Sequence, residues 1–208
     1  YVDRNQRYRF VNKAFADWLG KREAEILGRE IIEVLGRDVF QLYRAYIDAV
    51  AARYSGKAQD RAARDKAYAD AMRGVMQRYP DDLDAATLYA EALMDLRPWG
   101  YWMPDGSPYA DTPEAVAVIE SVLKRNPNHP GANHFYIHLL EPTSQAGRAE
   151  AAADRLLKLM PGAGHIVHMP SHIYMRVGRY ADASSANEQA VLADEDYIAQ
   201  CRAQGIYP

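Results

Sequence analysis

The chain carries all six of its histidines in two short stretches, HPGANHFYIHLLE and GHIVHMPSH. In each stretch two histidines lie four positions apart, His134 with His138 and His168 with His172. On an α-helix this spacing places both rings of a pair on one face, one turn apart. Neutral imidazole is a common ligand for zinc, copper(II) and iron. The two pairs therefore predict a transition-metal site.

The segments that carry the histidines have the pattern of repeated helices. Pro127 and Pro161 each end a helical run and lie 34 residues apart, and small residues recur at the same interval at Ala115, Ala149 and Ala183. A period of 34 residues is typical of tetratricopeptide repeats, in which each unit is a pair of helices. The histidine pairs are thus predicted to lie on corresponding helices of successive repeats.

The two pairs also occupy equivalent positions within the repeat. His134 and His168 lie seven residues after a repeat-ending proline, and His138 and His172 lie eleven residues after it. Neighbouring helices pack with their axes about 8–10 Å apart, so imidazoles on adjacent helices can meet. We therefore expect the four rings to converge on one metal ion or on two.

Three further residues are candidate ligands. Glu141 follows His138 by three residues, and His165 precedes His168 by three, so each shares a helical face with its neighbour. Glu91 lies eleven residues after Pro80, so it is the equivalent of His138 and His172 in the preceding repeat. In a metal-dependent enzyme, either Glu91 or Glu141 would be the general base acting on metal-bound water.

Two other interpretations of the histidines remain open. Duplication of the repeat could have copied a packing histidine, satisfied by a hydroxyl or backbone partner. Alternatively, protonated histidines could donate hydrogen bonds to a peptide or a small anion. The pattern does not identify the ion, and zinc, copper and iron all remain candidates.

An insert of about residues 97–113 interrupts one repeat with proline, glycine and aromatic residues, in RPWGYWMPDGSPYADTP. Such a composition ends helices and predicts a loop. Its aromatic residues Trp99, Tyr101 and Trp102 are candidate ligand-binding residues if the loop covers one end of a groove. The alternative is a loop whose aromatic rings simply pin it to the helices.

Residues 58–208 resemble tetratricopeptide-repeat proteins in period, alanine placement and terminal prolines. The phrases DAATLYAEALMDLRPWGYW and GHIVHMPSHIYMRVGRYADA are similar to those of a group of bacterial repeat proteins. The resemblance implies a mainly α fold, an α-solenoid of helix-turn-helix repeats whose first helices line a concave groove. It also implies a binding scaffold for a peptide, a protein or a small ligand, or a protein–protein adaptor in bacterial signalling without a metal.

The first fifty residues resemble the N-terminal half of a PAS sensory domain, in the phrases VNKAF, WLG, ILG and VLG. A hairpin is predicted before the first of these phrases, so this part would be a short α+β segment. A PAS domain is about twice as long, and the stretch that follows is helical in pattern. We therefore divide the chain into a partial PAS-like segment at 1–52 and a helical repeat domain at 53–208, and predict no PAS cofactor.

Composition narrows the classes of partner. The net charge of −3 and the interspersed acids and bases provide no basic stripe, which argues against nucleic acid as a partner. No apolar run approaches the roughly 18 residues of a membrane span. The single cysteine, Cys201, suits a reducing compartment, so a cytoplasmic location is favoured. A periplasmic one remains open, because the chain begins at Tyr1 without a methionine.

Taken together, these sequence features favour a binding scaffold over an enzyme.

Overall fold

The computed structural model describes residues 1–54 and 60–200, and its fold is mainly α, as predicted. Cys201 and the last residues of the predicted repeat region lie outside the described part. Short 3₁₀ turns lie at Glu23–Glu25 and Ala146–Ala149. The α-helices, in chain order, are α1 Lys13–Trp18, α2 Ile31–Leu35, α3 Arg37–Arg53, α4 Arg61–Arg78, α5 Leu83–Asp95, α6 Thr112–Arg125, α7 Pro130–Leu140, α8 Glu150–Leu159, α9 Gly164–His168, α10 Pro170–Val177 and α11 Tyr180–Gln200.

Local sequence signals set the helix boundaries of the repeats. The side chain of Asp82 accepts hydrogen bonds from the first backbone N–H groups of α5, as an N-cap should. Pro130 and Pro170 occupy the first positions of α7 and α10, where the missing N–H costs nothing. Gly178 ends α10 with a φ of +83°, a left-handed conformation that favours glycine.

The helices from α3 onward form a stack of helical hairpins. Each packs on its neighbours in sequence, α3 on α4, α4 on α5, and so on to α11, which packs on both α9 and α10. The predicted repeats correspond to α5 with α6, α7 with α8, and α9–α10 with α11. No helix in the described ranges is long and apolar enough to cross a membrane.

One continuous core runs through this stack. Its fully buried side chains include Met72, Tyr89, Ile119, Leu156 and Ile173, which come from α4, α5, α6, α8 and α10. Each helix buries an apolar face against the next, so a single hairpin could not hide its own core. Helix α3 also packs on α4 and belongs to this stack, although most of it lies within the predicted segment 1–52.

The N-terminal residues form a separate, smaller core around Tyr8, Val11, Ile26 and Val34. The predicted hairpin is present only as a single antiparallel bridge between Val2 and Tyr8. A second bridge connects Arg7 to Glu30, so this segment closes on itself through isolated bridges.

Candidate metal centre

Helices α7 and α9 bring three histidines together on one side of the stack. The Nε2 atom of His134 lies 3.1 Å from Nε2 of His138 and 3.2 Å from Nε2 of His165. One ligand atom from each ring lies within 4.8 Å of the other two. A metal ion about 2.0–2.1 Å from each nitrogen would hold tetrahedral ligand atoms ~3.3 Å apart. Two of the three separations are therefore close to what a bound ion requires, and the third, between His138 and His165, is within 4.8 Å.

The second histidine pair lies beside this triad. The Nε2 atoms of His168 and His172 are 3.0 Å apart. Ring centroids of His138 and His172 are separated by 6.1 Å, and those of His165 and His168 by 6.4 Å. Five of the six histidines thus form one continuous cluster across α7, α9 and α10.

Glu141 connects the triad to the pair. Its Oε2 lies 2.5 Å from Nδ1 of His172, and its Oε1 lies 3.4 Å from Nδ1 of His138. Burial opposes ionisation of this carboxyl, but hydrogen bonds from His138 and His172 lower the pKa of Glu141 to about 2. An ionised carboxylate only accepts hydrogen bonds. Both Nδ1 atoms therefore carry their protons, and in a neutral ring the Nε2 atom is left with a free lone pair.

The environment of His134 and His165 favours neutral imidazole, the form that binds metal. Burial lowers the pKa of His134 to about 3, and the nearby rings of His138 and His165 add to the effect. Burial also lowers the pKa of His165, although this residue is the most exposed of the three. At neutral pH these two rings are uncharged and able to donate a lone pair.

A residue that the sequence pattern did not indicate supports the second pair. The Oδ1 atom of Asn187 on α11 lies 2.6 Å from Nδ1 of His168, and the Ser171 hydroxyl lies 3.4 Å from the same atom. Asn187 comes from the second helix of its repeat, within an alanine- and serine-rich stretch that carries no ligand spacing. Only the packing of α11 on α9 and α10 brings it to the cluster.

The helix break at Pro170 does not separate His168 from His172. The backbone N–H of Met169 still donates to the carbonyl of His165, and that of His172 donates to the carbonyl of Met169. The chain therefore passes from α9 to α10 with a tightened turn, and the two rings remain in contact.

The sixth histidine, His129, lies apart from the cluster. It caps the N-terminus of α7, where its Nδ1 accepts a hydrogen bond from the N–H of Ala132 at 3.2 Å. Its Nε2 lies 3.1 Å from a carboxylate oxygen of Asp84. Both ring nitrogens are thus used in local structure.

Glu91 is also placed away from the histidines. Its carboxylate contacts Arg53 of α3 at 3.4 Å and accepts a hydrogen bond from the Tyr68 hydroxyl of α4 at 3.1 Å. Burial, together with the neighbouring Asp95, raises the pKa of Glu91 to about 7. Although Glu91 is repeat-equivalent to His138, its side chain belongs to an ion-pair network between α3, α4 and α5.

The aromatic insert folds over the end of α7. The indole N–H of Trp102 donates to the carbonyl of Leu139 at 2.7 Å, and the carbonyl of the buried Tyr101 accepts from the Thr112 hydroxyl. Trp99 has a φ of +64° and is 72% exposed, with its ring centroid 5.0 Å from that of His138. Trp99 therefore lies at the edge of the histidine cluster, whereas Trp102 and Tyr101 fix the loop.

A pocket adjoins the cluster on the side of α3 and α5. Its volume is about 550 Å³, and Tyr46, Leu88 and Phe135 are among the residues that line it. The ring of Phe135 stacks on that of His134, with centroids 5.1 Å apart. The apolar pocket thus meets the histidine cluster at Phe135.

Comparison with known proteins identifies similar folds. Residues 1–73, about a third of the 208-residue chain, match the family described as PAS fold. No curated protein matches the chain. Solved structures of similar fold include MamA MSR-1 C2, with 15% identity, a TM-score of 0.48, and coverage of 76% of this chain and 97% of that one. They also include MamA AMB-1 P212121, with 18% identity, a TM-score of 0.48, and coverage of 76% and 94%.

Proposed function

We propose that the protein is a tetratricopeptide-like binding scaffold with a transition-metal ion on its inner surface, held by His134, His138 and His165. The convergence of three Nε2 atoms, with 3.1 and 3.2 Å between neighbours, is the observation that supports the proposal most directly. Zinc, copper(II) and iron all accept imidazole ligands, so any of them fits this set.

Glu141 gives the proposed centre its second support. Metal-bound histidines usually donate their other ring N–H to a carboxylate or a carbonyl, which orients the ring and raises its basicity. Glu141 lies in that place for His138, on the ring nitrogen opposite the triad. Three protein ligands would leave a fourth position for water or for a group of a bound partner.

A binding role fits this arrangement better than an enzyme does. A general base should face the metal-bound water, yet both oxygens of Glu141 face Nδ1 atoms of histidines. Glu91, the other candidate base, lies in the network with Arg53 and Tyr68. The partner we propose is a peptide, a protein segment or a small ligand in the groove beside the centre, rather than nucleic acid or a membrane.

The proposal treats residues 1–52 as a PAS-like remnant attached to a repeat domain at 53–208. The small core around Tyr8, Ile26 and Val34 supports a distinct first segment, and the family match over 1–73 supports its likeness to a PAS fold. Since α3 and the larger part of α4 fall in the matched range and pack into the helical stack, we propose no PAS cofactor for this segment.

Counting bound ions tests the metal centre. The protein is stripped with a chelator, equilibrated separately with zinc and cobalt(II), and its metal content is measured by elemental analysis. We expect the variant His134→Ala/His165→Ala to bind one ion fewer per chain than the wild type. The matched control is His129→Asn, which keeps a good N-cap residue outside the cluster and should bind as the wild type does. Equal metal content in all three proteins would contradict the proposal and leave an adaptor without a metal.

A further inference from the structure

The pair His168 and His172 is held in an unusual state by its neighbours. Nδ1 of His172 lies 2.5 Å from a carboxylate oxygen of Glu141. Nδ1 of His168 faces the amide oxygen of Asn187 at 2.6 Å. Both partners accept hydrogen bonds, so each Nδ1 atom must carry a proton.

This protonation fixes what the other two nitrogens can do. A neutral imidazole that carries its proton on Nδ1 has a lone pair on Nε2. The two Nε2 atoms of the pair lie only 3.0 Å apart, so two lone pairs would face each other. Two acceptors at this distance repel unless a positive charge lies within reach of both. Either a shared proton or a metal ion can supply that charge.

We propose that His168 and His172 hold a second transition-metal ion, distinct from the ion of the triad. None of the three triad residues takes part, and each ligand has its own acceptor on Nδ1, Asn187 for His168 and Glu141 for His172. Since Glu141 also faces His138, one carboxylate orients a ligand of each ion. Ring centroids of His138 and His172 lie 6.1 Å apart, which leaves room for two neighbouring ions.

The second ion has a more open coordination sphere than the first. Only two protein nitrogens bind it, and the side chain of His172 remains 33% exposed. Water or a ligand with oxygen donors, such as a carboxylate, completes the coordination. Such a ligand would bind at the surface of the cluster, where the groove is open to solvent.

The number of ions per chain provides the test. Elemental analysis after equilibration with zinc should give two ions for the wild type. It should give one for His168→Ala/His172→Ala and one for His134→Ala/His165→Ala. Circular dichroism of each variant checks that the helical stack has formed.

Two variants of Asn187 test the second site while both imidazoles of the pair are retained. Asn187→Leu removes the acceptor of His168 Nδ1 and should weaken the second ion about 10–100-fold while the first keeps its affinity. Asn187→Asp retains an acceptor and should still bind two ions. Competition with a chromophoric chelator measures both affinities.

The outcomes separate this inference from the proposed function. One ion in the wild type that the pair variant retains would overturn the second site, because the pair would then share a proton, and would leave the triad site in place. One ion lost by both double variants would also overturn it, since all five rings would serve a single ion. No ion in the wild type would overturn both proposals.

Discussion

At the scale of single residues, the groups that face the outer nitrogens define the cluster as much as the histidines do. Glu141 and Asn187 accept hydrogen bonds from Nδ1 of His172 and His168, so the Nε2 atoms are directed toward one another. Spacing along the chain predicted Glu141, because it lies one turn after His138. It could not predict Asn187, whose contact depends on how α11 packs on another helix.

Glu91 differs from Glu141, because burial and a neighbouring carboxylate disfavour its ionised form. Two carboxylates, Glu91 and Asp95, share Arg53 in a partly buried network, and the pKa of Glu91 rises to about 7. The unfolded chain releases this proton near the ordinary value of 4.5, whereas the folded chain holds it until about pH 7. Raising the pH from 4.5 to 7 therefore costs folding stability, and above pH 7 the cost stays constant.

We predict that Glu91→Gln is more stable than the wild type at pH 8, by roughly 1–2 kcal/mol after allowing for solvent screening. The difference should vanish near pH 4, where the carboxyl is protonated in both states. Urea denaturation at the two pH values measures it. Glu188→Gln, on the exposed face of α11, is the matched control variant. A destabilised Glu91→Gln at pH 8 would mean that the Arg53 ion pair outweighs the cost of burial.

At the scale of elements, the repeat period predicted where the helices lie but not how neighbouring helices are offset. The prolines that end successive helices and the 34-residue interval located α5 to α8 and the first helices that carry the histidines. The stagger between neighbouring helices was not predictable. Equivalent positions predicted that the two pairs converge, with His165 as a further candidate, whereas the structure places His165 directly against His134. That offset of one turn depends on side-chain packing between helices, which a period cannot encode.

The insert is an element whose conformation rests on a few specific contacts. The indole N–H of Trp102 satisfies the carbonyl of Leu139, which lies in the last turn of α7 and is otherwise free of an intrahelical partner. Trp99, beside His138, depends on this attachment for its position.

We predict that Trp102→Phe destabilises the protein by about 1–2 kcal/mol, because a partly buried carbonyl loses its donor while the ring remains largely in place. Chemical denaturation followed by circular dichroism measures the change. Trp18→Phe, at a residue that is 70% exposed in the N-terminal segment, should alter stability by much less. Equal effects in the two variants would show that the hydrogen bond to α7 does not hold the insert.

At the scale of the whole molecule, the candidate ligands join two successive repeats. The triad takes His134 and His138 from α7 and His165 from α9, so a bound ion would connect helices that belong to different hairpins. In a stack where each hairpin contacts only its neighbours, such a link stabilises the interface it spans rather than every part equally.

Metal binding should therefore stabilise the molecule unevenly. At a free zinc concentration 100 times the dissociation constant, one site adds about 2.7 kcal/mol to the free energy of unfolding, and a chelator should remove this gain. Hydrogen exchange should slow most in α7 to α10, which surround the ligands, and little in α1 and α2, which belong to the separate core. The variant His134→Ala/His165→Ala should lose the triad's share of this protection. Uniform slowing along the chain, or the same slowing in that variant, would show that zinc acts somewhere other than between these two repeats.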